Sequence, residues 1–208
     1  MKKLLIIGAG GHGRVIADCA ELTGRWAEIQ FLDDRHPELA SADDWPVAGT
    51  SQSCWDYFPG EWDVIVGIGD NRVRLQMVEK LLEAGFTLPV LVHPSAAVSP
   101  RATLAEGTVV FAQVAVNTGA QMGRGVILNT GCIVDHDCRL SHGVHVSPGA
   151  ALAGNVTVGC CSWIGIGASI RHCIEVGQDV IIGGGAAVVA NVPDSSTMVG
   201  VPAKNRIA

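Results

Sequence analysis

From Val92 to Val188 every sixth residue is aliphatic, seventeen positions without a break. Four places after each stands a small or β-branched residue, as in Ala96, Thr108, Ala120, Cys132, Cys138, Ala150, Ser162 and Ala186. One large and one small apolar position in every six, with polar residues and glycine between, matches very short strands meeting at tight corners. It predicts a parallel β-helix with both columns inside. Gly, Asn and Asp at the corners provide the backbone conformations that such turns need. The register never slips between Val92 and Val188, so no protruding loop is expected.

Residues 1–91 carry a different pattern. An apolar run, Leu4 to Ile7, is followed by Gly8-x-Gly10-x-x-Gly13 and a helix bearing Val15, Ile16, Cys19 and Ala20. A second strand, Ile29 to Leu32, ends at Asp33 and Asp34. A further strand is expected at 64–69, then a helix opening at Asp70 and running through Val73, Met77 and Leu81 to Gly85. Residues 35–62 read as a surface loop with a short strand at Val47. The fold expectation is an α/β half-Rossmann domain over 1–91, followed by an all-β helix over 92–208. Glycines after a strand and acids beyond the next one form a Rossmann-type phosphate turn. The domain is short and no hydride-transfer module follows, which argues against a redox cofactor. Backbone N–H groups in such a turn hold a pyrophosphate without basic side chains.

Composition sharpens the division. Eight of the ten aromatics precede residue 92, leaving Phe111 and Trp163 in a β-helix too narrow to stack rings. Residues 1–91 hold 8 Lys/Arg against 14 Asp/Glu and the remainder 6 against 6, so the net charge of -6 belongs to the first part. No basic footprint for nucleic acid is present. The apolar run after Met1-Lys2-Lys3 is too short for a signal sequence, and no stretch approaches the ~18 apolar residues of a membrane span. A cytoplasmic protein without membrane insertion is expected. The seven cysteines form no CxxC pair and read as reduced, buried and structural.

The stretch "NTGCIVDHDC", residues 129–138, sets His136 between two aspartates. The repeat resembles that of hexapeptide acyltransferases with a left-handed parallel β-helix. "NTGCIVDHDC", "HVSPGAALAGNV" (145–156), "GGGA" (183–186) and "VGVPAK" (199–204) narrow the resemblance. It points to bacterial acetyltransferases acting on the 4-amino group of nucleotide-linked 4-amino-4,6-dideoxy sugars, near relatives of the sialic acid O-acetyltransferases. The resemblance implies a homotrimer with acetyl-CoA between neighbouring helices, and 18-residue coils that stack Pro100, Thr118, His136, Gly154 and His172 at one corner. It further implies His136 as general base, Asp137 as its orienting acid, and His145, Gly154, Gly184 and Lys204 at acetyl-CoA. Gly154 would contact the thioester carbonyl through its N–H. In the first domain it implies nucleotide-sugar contacts from Gly8, Gly10, Gly11, His12, Gly13, Asp33, Asp34 and Asn71, with His93 and Pro94 as weaker candidates.

The chemistry fits independently. A sugar ammonium cannot attack a thioester until it loses a proton, and an imidazole of pKa ~6.5, raised by a carboxylate, can take it. Cys132 and Cys138 lie in the inward column, which argues against an acyl-enzyme. A metal is not expected: His142 and His145, three apart in the repeat, point in different directions. Three other readings stay open: O-acetylation of sialic acid, an NAD-binding protein, and a nucleotide-sugar-binding trimer without turnover.

Overall fold

The computed structural model describes residues 2–206. It divides into two compact units, Met1–Leu91 and Val92–Ala208. In the first, β1 (Lys2–Ile7), α1 (Gly11–Thr23), β2 (Trp26–Leu32), β3 (Ser41–Ala42), β4 (Trp45–Gly49), β5 (Trp62–Val66) and α2 (Asn71–Glu83) follow in order. The sheet runs β3-β4-β2-β1-β5, with β1 parallel to both β2 and β5. The chain therefore leaves β1 toward one side and returns on the other, and the crevice at the carboxyl ends of β1 and β5 is a topological switch point.

Leu4, Leu5, Ile6 and Ile7 are almost fully buried, as a strand covered on both faces requires. Residues 35–62 hold more structure than expected: β3, β4 and a 3-10 helix at Ser51–Asp56. The inward stripe of α2 also departs from the hydrophobic pattern. Arg74, Val78 and Leu81 are buried, whereas Val73 is 48% exposed.

In the second unit, two-residue parallel strands stack with a step of 18 residues, as in Ala115↔Ile133 and Ile133↔Ala151. They build three faces. The first face holds Ala97–Val98, Ala115–Val116, Ile133–Val134, Ala151–Leu152, Ser169–Ile170 and Ala187–Val188. The second face starts at Thr103–Leu104 and ends at Glu175–Val176. The third includes Ile127–Leu128, His145–Val146, Trp163–Ile164 and Ile181–Ile182, and closes with Thr197–Val199 and the antiparallel Lys204–Asn205.

The second residue of each strand and the small residue ending each corner form one continuous core, including Val116, Leu128, Cys132, Val134, Cys138, Ala150 and Ile164. Outward positions of the second face are polar (Thr103, Gln121, Arg139, Thr157, Glu175), while those of the other two include Ile133, Trp163 and Ile181. Cys160 and Cys161 are only half-buried and Cys173 is exposed, because they occupy corner rather than inward positions. Among the described residues, no helix is long and apolar enough to cross a membrane.

Candidate active site

His136 stands at the corner between the first and second faces, on a turn closed by two backbone bonds. The Asp137 N–H donates to Thr118 O at 3.0 Å one coil below, and the Asn155 N–H donates to His136 O at 2.8 Å one coil above. The His136 side chain is 54% exposed, and its Nδ1 lies 2.9 Å from Asp137 Oδ2. An ionised carboxylate only accepts, so Nδ1 carries the proton of this bond and Nε2 is left as the acceptor. Asp135 sits on the other side. Its Oδ1 accepts the His136 N–H at 2.7 Å and Asn117 Nδ2 at 2.7 Å. The bond to Asp137, and then the charge of Asp135, hold the imidazole pKa above its ordinary 6.5. Gly154 lies one coil above, and a Cβ there would land on Nε2 and Cε1 of the ring. The basic nitrogen therefore rests against bare backbone.

The other residues expected at acetyl-CoA do not gather at this corner. His145 faces outward from the third face, its ring stacked on Trp163 at 5.6 Å and 5°, with Asn129 Nδ2 3.3 Å from Nε2. Gly184 is in the corner leading from the third face to the first, and Lys204 is exposed on the closing strand of the third face. A corner shared by the first two faces is opposite the third, so one chain presents His136 and His145 on different sides. Hollows of about 480 and 280 Å³ lie on the second face and are lined by neither histidine. Among the described residues, no group of three or more His, Cys, Asp or Glu is placed to hold a metal ion. The inward Cys132 thiol is pushed up to about 12 by burial, which suits packing rather than nucleophilic attack.

In the first unit the glycines divide into two kinds. A Cβ on Gly13 would run into Gly8 O, and one on Gly67 would come within 2.9 Å of Gly13 Cα, so these serve close approach of helix and strand. A Cβ on Gly10 or Gly11 would meet nothing within 4 Å, so packing does not explain them. They open α1, whose first N–H groups lack intrahelical partners and favour an anion. His12 follows, half-buried in the same turn.

Asp33 is turned inward. Its Oδ2 accepts the Ala9 N–H at 2.8 Å and Arg35 Nη2 at 2.9 Å, and its Oδ1 accepts the Arg35 N–H at 3.0 Å and Nε at 2.7 Å. Four donors fill the carboxylate's four acceptor sites. The Arg35 bonds, with the Ala9 N–H, hold this carboxyl well below its ordinary range. Asp34 Oδ1 accepts both the N–H (2.9 Å) and Oγ (2.7 Å) of Ser51, tying the loop. Asn71 opens α2, and its Oδ1 accepts Arg74 Nη2 at 2.8 Å. Arg74 was not singled out by the sequence; it also donates to Ile68 O and Gly69 O at 3.1 Å each. His93, in the second unit, accepts the Ser95 N–H at Nδ1, a local turn bond of 3.0 Å.

Residues 3–81 match the PglD N-terminal domain family. The acetyltransferase domain of PglB from Neisseria gonorrhoeae FA1090 is 45% identical and superposes with a TM-score of 0.97, covering 99% of this chain and 100% of that one. This chain belongs to the hexapeptide-repeat, left-handed β-helix acetyltransferases. The same Neisseria domain has been solved in complex with acetyl coenzyme A. A mutant of perosamine N-acetyltransferase from Caulobacter crescentus, in complex with CoA and GDP-perosamine, is 36% identical at a TM-score of 0.91, covering 100% of this chain and 98% of that one. UDP-N-acetylbacillosamine N-acetyltransferase of Bacillus subtilis (strain 168) is 35% identical over 114 residues, 54% of this chain and 52% of that protein. The match thus spans about half the length of that curated relative.

Proposed function

We propose that this acetyltransferase transfers acetyl from acetyl-CoA to the 4-amino group of a UDP-linked 4-amino-4,6-dideoxy sugar, of the kind used as a glycan precursor. The observation that carries this is the His136–Asp137 pair with side-chain-free Gly154 one coil above it. His136 Nε2 takes a proton from the sugar amine as its nitrogen attacks the thioester carbonyl. The developing oxyanion meets the Gly154 N–H, the C–S bond breaks and the CoA thiolate leaves, taking up a proton. Asp137 keeps Nε2 in the accepting tautomer.

A homotrimer belongs to this reading. His136 and His145 lie on different sides of one helix, so a site using both draws them from neighbouring copies, and the exposed Ile133, Trp163 and Ile181 give the first and third faces apolar contact surface. His145, Gly184 and Lys204 then line acetyl-CoA. The nucleotide sugar is assigned to the first unit, with phosphates at Gly10, Gly11 and the α1 N-terminus, and His12, Asp34 and Asn71 around it. A dinucleotide cofactor is disfavoured, because the acid that would take its ribose hydroxyls, Asp33, is already saturated. Both co-substrates are cytoplasmic metabolites, so the protein is assigned to that compartment.

Release of CoA, followed with a thiol reagent, tests the reading. Turnover is expected with a UDP-4-amino-4,6-dideoxy sugar and not with sialic acid, and His136→Ala should lower it by at least ~10²-fold. Release with sialic acid alone would transfer the assignment to O-acetylation, and silence with both would leave a binding trimer. Full turnover by His136→Ala would remove the base, and a monomer by light scattering would remove the shared site.

A further inference from the structure

The corner that carries His136 is flanked by two glycines, each set 18 residues from a member of the pair. Gly119 lies one coil below Asp137, and Gly154 lies one coil above His136. A Cβ on Gly119 would land on Asp137 Oδ1, 3.4 Å from Cγ, and a Cβ on Gly154 would land on the imidazole, 3.0 Å from Cδ2.

Backbone geometry does not account for either glycine. Gly119 has φ +73°, but the same corner position one, two and three coils higher is filled by Asp137 (φ 60°), Asn155 (φ 57°) and Cys173 (φ 57°). This column accepts side chains in left-handed backbone, so φ alone does not call for glycine at 119. Gly154 is not in that conformation, and its column neighbours are Thr118, His136 and His172. What sets these two positions apart is what a side chain would strike.

Resting on the reading of His136 as base, we infer that Gly119 and Gly154 are positioning residues, a two-sided seat that lets the Asp137 carboxylate and the His136 ring lie flat on the coils below and above and so meet each other. With a methyl at 119 the carboxylate must swing off Gly119, which takes Oδ2 away from Nδ1. With a methyl at 154 the ring must lift, and Nε2 leaves the bare backbone where the reacting amine is held. The loss of geometry is of the order of 1 Å, enough to lower turnover on the order of 10²-fold.

The signature is a titration. The groups facing His136 are Asp135 and Asp137 on its own corner. The coil below contributes Asn117, Thr118 and Gly119 and the coil above Ala153, Gly154 and Asn155, none of which titrates. A change in the His136 pKa after Gly119→Ala, whose methyl meets Asp137 and not the ring, thus reports the contact with that carboxylate. The effect of the two carboxylates in the native corner is upward, led by the bond to Asp137.

The experiment compares Gly119→Ala, Gly154→Ala and a control, Gly131→Ala, in the full-length protein. Gly131 has φ +66° and nothing within 4 Å of its Cβ position, so it bears the same backbone cost without striking the pair. His136 is followed by NMR through its ring protons, assigned by their loss in His136→Ala, and turnover by CoA release. We expect a lowered His136 pKa and reduced turnover in Gly119→Ala and Gly154→Ala, with Gly131→Ala matching the parent in both. If Gly119→Ala does not fold, Gly154→Ala, free of left-handed strain, carries the same test. Parent-like titration in the glycine variants overturns the seat, even where His136→Ala abolishes turnover and the base stands. Full turnover by His136→Ala would instead remove the base, while a lowered pKa in the glycine variants would still support the seat as a geometric device.

Discussion

Replacing Arg74 by Met tests how the glycine-turn end of the first unit is held together. The guanidinium is 1% exposed and donates to Ile68 O, Gly69 O and Asn71 Oδ1. It thereby clamps the loop between β5 and α2, whose Gly67 packs on Gly8 and Gly13 of the glycine turn. Methionine keeps the length of the side chain and removes every donor. Each bond from a charged donor is worth ~1.5–3 kcal/mol, and removing the guanidinium recovers several kcal/mol of desolvation. The net cost is therefore about 2–4 kcal/mol, which in a unit of this size lowers the melting temperature by roughly 10–25 °C. Four of the five tryptophans (Trp26, Trp45, Trp55, Trp62) lie in this unit, so tryptophan fluorescence follows its melting. In the acetyl-transfer assay below the melting point, KM for the nucleotide sugar should rise on the order of tenfold with kcat nearly unchanged, since the loss is one of binding. A melting temperature within about 2 °C of the parent would refute the clamp. A lowered melting temperature with unchanged KM would show that the loop does not border the nucleotide site.

Two further outcomes follow from the β-helix. Asp137→Asn replaces the carboxylate that favours imidazolium with a neutral amide, so the His136 pKa should fall toward its ordinary value. In the proposed mechanism the neutral ring is the base, so the acidic limb of kcat/KM against pH should move to lower pH while the plateau drops; an unmoved limb would contradict the pairing. Ser162 is 0% exposed, donating through Oγ to Gly177 O at 2.7 Å and accepting the Val180 N–H at 3.0 Å. Ser162→Ala leaves that buried N–H without its acceptor, at a cost of ~1–3 kcal/mol. Amide exchange at Val180 should accelerate, and unchanged exchange would show that another acceptor replaces the hydroxyl.

Much of the β-helix was legible because its rule is strictly local. Two inward residues in every six repeat along the chain whatever lies elsewhere, and the structure buries both columns through most of their length. The corner position of His136 followed once three hexads were taken as one coil. The α2 stripe was misread for the opposite reason. Hydrophobicity favours Val73 over Arg74, but the carbonyls of Ile68 and Gly69 and the Asn71 side chain draw the arginine inward. A charged residue four before Val78 and seven before Leu81 was the one available signal. Asp33 was legible as the acid after the second strand, yet not as saturated, because one of its four donors comes from Ala9, 24 residues earlier.

By itself, then, the sequence determined which residues of the β-helix face inward, where its corners fall and which corner bears a histidine beside an acid. Periodicity and covalent neighbourhood are properties of the chain. Tertiary structure alone decided that Asp33 meets four donors, that Arg74 is a buried clamp, that His136 and His145 lie on different sides, and that a Cβ at Gly119 or Gly154 would strike the pair. Each of these depends on lone pairs and free volume shared by groups that become neighbours only when strands and coils stack, and no count along the chain contains them.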